Sequence, residues 1–176
     1  MSLQNAILVL LETEEGSGYD LLKRFKGRMG YFWSASHQQI YQQLKKMNEQ
    51  SLIHCHLDKQ DGKPDRKVYS VTDEGRQSLL DWINKPIKSS KVNDALLLKL
   101  YAGHMVDPSV IKAEIDSHRS SHQQMLETFL SLEQEYLRLP EEKRDPYKLP
   151  YITLRKGILG EQAWLAWADE VNQLLP

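Results

Sequence analysis

Cysteine is nearly absent from this chain. Its 176 residues include one, Cys55, so no disulfide can form within a chain, and a reducing compartment is the expected home. Long hydrophobic runs are missing too. The opening "MSLQNAILVLLETEEGSG" has no basic stretch ahead of its apolar residues, and those are too few to cross a bilayer. A cytoplasmic protein with no membrane partner is expected. Nor is there an excess of one charge: the formal net value is -1, so the composition as a whole points to no charged partner. The length suits one ordinary domain or two small ones.

Charge is uneven along the chain, however. Between Lys23 and Arg76 eleven Lys/Arg stand against six Asp/Glu, whereas from Ile87 onward eleven stand against thirteen. The basic stretch includes "ASHQQIYQQLKKMNEQ", where Ile40, Leu44 and Met47 fall on one narrow helical arc. Its far side presents Gln38, Gln42 and Lys45, with Ala35, Gln39 and Lys46 beside them and His37 and Tyr41 on a flank. A Gln side chain offers a donor next to an acceptor, which matches the N6 and N7 edge of adenine in the major groove. Lys45 and Lys46 suit guanine acceptors or phosphates, and Ala35 a thymine methyl.

The flanking segments fit such a reader. "LQNAILVLLE" puts Leu3, Ile7, Leu10 and Leu11 on one helical face. Ser17 with Asp20, and Ser36 with Gln39, have capping-box spacing, and Ser34 is a second candidate cap. A short helix carries Leu21, Leu22 and Phe25, with Gly27 and Gly30 marking the turn after it. "LIHCHLD" and "RKVYSVT" read as two strands joined by a loop with Gly62 and Pro64. Asp73 is placed to cap a closing helix with Leu79, Leu80, Trp82 and Ile83. Three helices, a hairpin and a fourth helix describe a winged helix-turn-helix, with the Gln/Lys helix, about residues 34–50, in the major groove. The wing, residues 58–67, holds Lys63, Arg66 and Lys67, which suit phosphates or a narrow minor groove.

The stretches "SGYDLLKRF", "YFWSASHQQIYQQLKKMNEQSLI" and "GKPDRKVYSVTDEGRQSLLDWI" resemble the PadR family of bacterial transcriptional regulators, over Ser17 to Ile83. "FWSASHQQIY" with "GKPDRKVYS" is most similar to the subgroup with a Vir-type C-terminal domain, which includes AphA-like activators of virulence genes. The resemblance implies a homodimer whose C-terminal helices form most of the contact. It implies DNA contacts from Tyr19, Ser36, His37, Gln38, Tyr41 and Lys45, and wing contacts from Lys63, Arg66 and Lys67. Two positions depart from the family pattern: Gln42 stands where many members have proline, and Ser51 where the helix-ending glycine is usual. A non-glycine left-handed cap costs roughly 1 kcal/mol, so a different ending of the third helix is expected.

Beyond Lys91 the pattern is helical, in three segments: "VNDALLLKLYAGH" up to Gly103, a long one opening at Asp107-Pro108 and stopping at Pro140, and a last one from Leu149. In the long one Ile111, Ile115, His118, His122, Met125, Phe129, Leu132, Tyr136 and Leu139 recur at steps of four and three, a heptad seam. The last carries Trp164, Trp167, Val171 and Leu174, with Gly157 and Gly160 suited to close backbone approach. Antiparallel pairing of these helices, joined by a partner's pair, makes a four-helix dimer interface; spacing alone does not separate contacts within a chain from contacts between chains.

Other constellations fall short of chemistry. In a strand His54 and His56 share a face while Cys55 points away, so "HCH" cannot converge on a metal. His118 and His122, four apart, lack the intervening Glu of the zinc protease motif; a polar layer, one that responds to acid included, is the alternative. "GSG" lacks the phosphate-loop ending, and no Ser-His-Asp set is legible. The four Trp and eight Tyr suit core packing or an effector pocket that the sequence does not locate.

The expected architecture is mainly α, an α+β winged helix-turn-helix over 1–86 followed by an antiparallel helical dimerisation domain over 87–176. The expected function is a dimeric regulator on double-stranded DNA with a pseudo-palindromic operator, without catalysis, cofactor or metal. A winged-helix protein-interaction module is the main alternative, and an enzyme in the C-terminal helices the other.

Overall fold

The computed structural model describes residues 3–59, 65–87 and 93–175. They fall into two compact units, Met1–Ser89 and Ser90–Pro176.

The first unit runs α1 (Leu3–Thr13), β1 (Gly16–Ser17), α2 (Gly18–Arg28), α3 (His37–Glu49), β2 (Ile53–Asp58), β3 (Arg66–Val71) and α4 (Asp73–Ile83). Apolar residues at helical spacing explain its core: Ile7, Leu8, Leu10 and Leu11 of α1, Leu21 and Phe25 of α2, and Ile40, Leu44 and Met47 of α3 form one buried cluster with Ile53, Tyr69 and Leu79. Burying Ile40, Leu44 and Met47 contributes about 1.5–3 kcal/mol each and fixes which side of α3 faces water. The hairpin pairs Ile53 with Val71 through Asp58 with Arg66. β1 adds a short third strand, Gly16 opposite Tyr69 and Ser17 opposite Val68, in the order β1-β3-β2. Two residues between helices carry no strand signal of their own; tertiary pairing alone makes them one.

Both capping boxes form. Ser17 Oγ accepts from the Asp20 amide at 3.2 Å while the Ser17 amide donates to the Asp20 carboxylate at 2.9 Å. Ser36 Oγ accepts from the Gln39 amide at 3.2 Å, and the Gln39 side chain answers at 2.8 Å. α3 therefore starts at His37, not at Ser34, and Ala35 lies ahead of it, packed on the core. Three other expectations are corrected. α2 continues through Gly27 to Arg28, because one glycine inside a helix lowers its stability without ending it. Thr72, not Asp73, caps α4, its hydroxyl accepting from the Gly75 amide.

The third correction concerns Ser51. It takes the left-handed conformation at φ 57°, with Leu52 N–H on the Met47 carbonyl and Ser51 N–H on that of Asn48. That is a full Schellman ending, kept without glycine.

The second unit holds α5 (Ala95–Tyr101), α6 (Pro108–Arg138) and α7 (Lys148–Leu174), with short 3-10 turns between them. Asp107 caps α6, and Pro108 opens it. α6 and α7 pair antiparallel. His122 stacks on Trp164 at 3.8 Å, Tyr136 on Tyr151 at 4.1 Å, and Arg119 pairs with Asp169 at 2.6 Å. Buried Glu133 accepts from Arg155 at 2.9 Å and from the Tyr151 hydroxyl at 3.1 Å. Gly157 makes the close approach expected of it, since a Cβ there would lie 2.8 Å from the Phe129 ring; Gly160 does not, with nothing within 4 Å.

Candidate nucleic-acid interface

The outward side of α3 is polar along its length. Gln38, Tyr41, Gln42, Lys45 and Lys46 are exposed, opposite the buried arc of Ile40, Leu44 and Met47. Lys45 lies 3.9 Å from Glu49, with four-fifths of its side chain in water, a surface pair too weak to hold it from another anion. Lys46 has no ion pair among the described residues. At the start of the helix Ser36 accepts from the Gln39 amide, so its own O–H is free to donate.

An aromatic group flanks this row. The His37 and Tyr41 rings lie 4.4 Å apart. Tyr41 rests on the start of α2, where a Cβ on Gly18 would come within 2.7 Å of its ring; glycine is what lets the ring sit there. Tyr19, next along the chain, is 69 % exposed. Beneath them Tyr69 is buried, and burial first, then Cys55 beside it, pushes its phenol up from the ordinary value.

The wing separates residues that the sequence treats alike. Lys63 lies outside the described residues. Lys67 is exposed, opposite Leu57 and on the face of β3 that carries Tyr69 into the core. Arg66 is on the other face, with Nε 2.9 Å from Asp58 and NH1 3.6 Å from Asp20. Hydrogen bonds from the Ser17 hydroxyl and amide, then the nearby Arg66 and Arg24, hold the Asp20 carboxyl below the usual aspartate range. Sequence reasoning does not single out Asp20 and Asp58 as neighbours of Arg66. Capping-box spacing marks Asp20, and hairpin register is what brings Asp58 opposite Arg66.

In the second unit the heptad seam divides. Ile115, Phe129, Val171 and Ile111 are buried between helices of the same chain, and His122, Tyr136 and Trp164 stack within the α6–α7 pair. Trp167 packs partly buried on the same cluster. His118 and Met125 stay exposed and Leu132 half-exposed. These three are seven residues apart, one line of the heptad. His118 has Glu114 3.8 Å away, and His122 Nδ1 is 2.5 Å from Glu161. No group of three metal-ligating side chains occurs among the described residues, and no described helix is long and apolar enough to cross a membrane.

Comparison with known proteins covers both units. Residues 7–81 match the transcriptional regulator PadR-like family, and residues 92–176 the virulence activator alpha C-terminal family. A probable transcriptional regulator of Mycobacterium tuberculosis is 32% identical over 99% of this chain and 98% of its own. The negative transcriptional regulator PadR of Bacillus subtilis is also 32% identical, over 98% and 97%. Its crystal structure in complex with operator DNA superposes with TM-score 0.85 at 29% identity, covering 96% of each chain; it has also been solved in complex with p-coumaric acid, at TM-score 0.77, 28% identity and 96% and 92% coverage. The Vibrio cholerae virulence activator AphA superposes with TM-score 0.81 at 35% identity, over 97% of this chain and 95% of that one. The matches span both units and nearly the whole length of each relative, and this chain belongs to the PadR-like family of transcriptional regulators.

Proposed function

We propose that this regulator binds a pseudo-palindromic DNA operator as a homodimer, with α3 in the major groove and the wing on the flanking backbone. One observation carries the reading: a capped helix displays Gln38, Gln42, Lys45 and Lys46 as an exposed row beside the His37–Tyr41 pair, while exposed Lys67 on β3 has no carboxylate partner among the described residues. Gln38 and Gln42 have the geometry for adenine edges; Lys45 and Lys46 serve guanine or phosphate. Tyr19, Ser36, His37 and Tyr41 donate to phosphate oxygens, which fixes register without reading sequence. The work is binding, with no catalytic step, in the compartment that holds the DNA, the bacterial cytoplasm.

The partner subunit is held by the line of the heptad that the chain leaves unused, His118, Met125 and Leu132. Ile111, Ile115, Phe129, Val171, Trp164 and Trp167 support that line from within, and His122 and Tyr136 brace it. A two-fold dimer places its two α3 helices about one turn of DNA apart, roughly 34–36 Å, or a multiple of that.

Selection of the full chain on random duplex DNA at moderate salt tests the reading. An inverted repeat is expected, and Gln38→Ala or Gln42→Ala should relax preference at single positions while Lys46→Ala weakens all sequences alike. Enrichment of no sequence, or of single half-sites only, would overturn it. Because Bacillus subtilis PadR has been solved with p-coumaric acid, that compound is the first effector to add to the selected complex.

A further inference from the structure

Two neighbouring cations on β3 do different work. Arg66 and Lys67 are adjacent in sequence, and alternate strand residues point to opposite faces. Arg66 stands directly across the hairpin from Asp58, its Nε 2.9 Å from that carboxylate, and its NH1 reaches Asp20 at 3.6 Å. Asp20 is not a loose surface acid. Its Oδ2 already accepts from the Ser17 amide at 2.9 Å and the Ser17 hydroxyl at 2.7 Å, so it is fixed at the point where β1 enters α2. Nε is committed to Asp58 and NH1 faces Asp20, so the charge of the Arg66 guanidinium is met within the fold. Lys67 has no carboxylate partner among the described residues.

We infer that Arg66 is a positioning residue, which ties the wing to the start of α2 through Asp58 and Asp20, and that Lys67 is the β3 cation that takes a DNA phosphate. The inference rests on the DNA-binding reading above and divides its wing contacts. The hairpin is joined to the body of the domain by the core packing of Ile53 and Tyr69 and by the β1 pairing, and the Arg66 clamp adds a tie next to Lys67 itself. Without the clamp Lys67 loses that tie, and its phosphate contact is made only part of the time.

The salt dependence of operator binding separates the two roles. Each phosphate neutralised adds about 0.9 to the slope of log affinity against log salt. With the full chain and the operator from selection, Lys67→Ala is expected to lower that slope by about one per subunit. Arg66→Ala is expected to weaken binding about fivefold, the scale of a partly exposed charge pair, while leaving the slope within half a unit of the wild-type value. In an Asp58→Ala background the cost of Arg66→Ala should shrink, because the two changes remove one clamp. Arg66→Lys, which keeps a cation opposite Asp58, should recover most of the affinity.

A slope lowered by about one per subunit in Arg66→Ala, with its full cost retained in the Asp58→Ala background, would make Arg66 a phosphate contact and overturn the inference alone. Wild-type protein that binds no duplex would overturn the DNA reading together with it. A Lys67→Ala slope equal to wild type, with Gln38→Ala still impaired, would remove the wing half and leave α3 reading intact.

Discussion

The Thr72 hydroxyl donates to the Ser51 carbonyl at 2.7 Å while its oxygen accepts from the Gly75 amide at 3.0 Å. One side chain thus joins the end of α3 to the start of α4, across the foot of the hairpin. Ser51 keeps φ 57° because its neighbours hold it: the Leu52 carbonyl also accepts from the Thr72 amide at 3.2 Å. A left-handed serine costs about 1–2 kcal/mol, offset in a Ser51→Gly variant by roughly 0.5–1 kcal/mol of extra freedom in the unfolded chain. Ser51→Gly should therefore stabilise the protein by about 0.5 kcal/mol. A urea midpoint that rises at unchanged slope would bear this out; a falling midpoint would not.

Gly75 is the reverse case. A Cβ there would lie 2.0 Å from the Leu52 carbonyl oxygen, a backbone atom of the same junction, so the contact cannot be relieved by turning a side chain. Gly75→Ala should cost about 2–3 kcal/mol, measured as the shift in denaturant midpoint. Thr72→Ala should cost about 1 kcal/mol, the ordinary loss of a helix cap. Equal effects from the two would mean that the glycine serves only the cap.

Much of this was legible in the sequence for a local reason. Capping boxes at Ser17 and Ser36, the Ile40–Leu44–Met47 arc and the Asp107-Pro108 start each sit within a few residues, so spacing alone specifies them. What escaped depends on residues brought together from a distance. Nothing in "GSG" announces a strand, since Gly16 and Ser17 become one only against Tyr69 and Val68. Asp58 and Asp20 meet Arg66 through hairpin register. The heptad on α6 is a true repeat, but which of its two lines meets α7 depends on how α7 is rotated, and spacing does not carry that.

Tyr41 and Gly18 offer a test in which function and stability come apart. A methyl on Gly18 would meet the Tyr41 ring at 2.7 Å, and that ring, 39 % exposed, can swing away. Gly18→Ala should leave the unfolding midpoint within about 0.5 kcal/mol of wild type, yet weaken operator binding about fivefold as one hydrogen bond is misplaced. Gly27→Ala is the control: a Cβ there meets nothing within 4 Å, and the gain in helix propensity is about 0.5–1 kcal/mol. Loss of affinity in both variants would show that α2 itself, not Tyr41, sets the effect.

The two lines of the α6 heptad should respond differently. Phe129 is 2 % exposed against Gly157, so Phe129→Ala should lower unfolding free energy by about 3–5 kcal/mol. Met125, 37 % exposed, should tolerate Lys in the folded subunit but weaken the dimer at least tenfold, a charge buried in an apolar contact costing more than 1.4 kcal/mol. Sedimentation of Met125→Lys at graded concentration reads this directly. An undiminished dimer would move the contact off this line.

Asp20 gives a pH dependence with a definite sign. Its carboxyl is held below the ordinary aspartate range, first by the Ser17 hydroxyl and amide and then by Arg66 and Arg24. Where the folded value lies below the unfolded one, near 3.9, the charged form contributes stability in full above the unfolded value. That contribution is lost as pH falls through the folded one. Asp20→Asn should thus destabilise the protein at pH 7 by about 1 kcal/mol, the scale of a capping interaction, and the gap to wild type should close as the pH falls below the unfolded value and through the lowered folded one. The measurement is denaturant unfolding of both proteins at each pH. A gap that stays constant would assign the loss to the shape of the amide in the capping box, and the charge of Asp20 would then hold neither α2 nor, through Arg66, the wing.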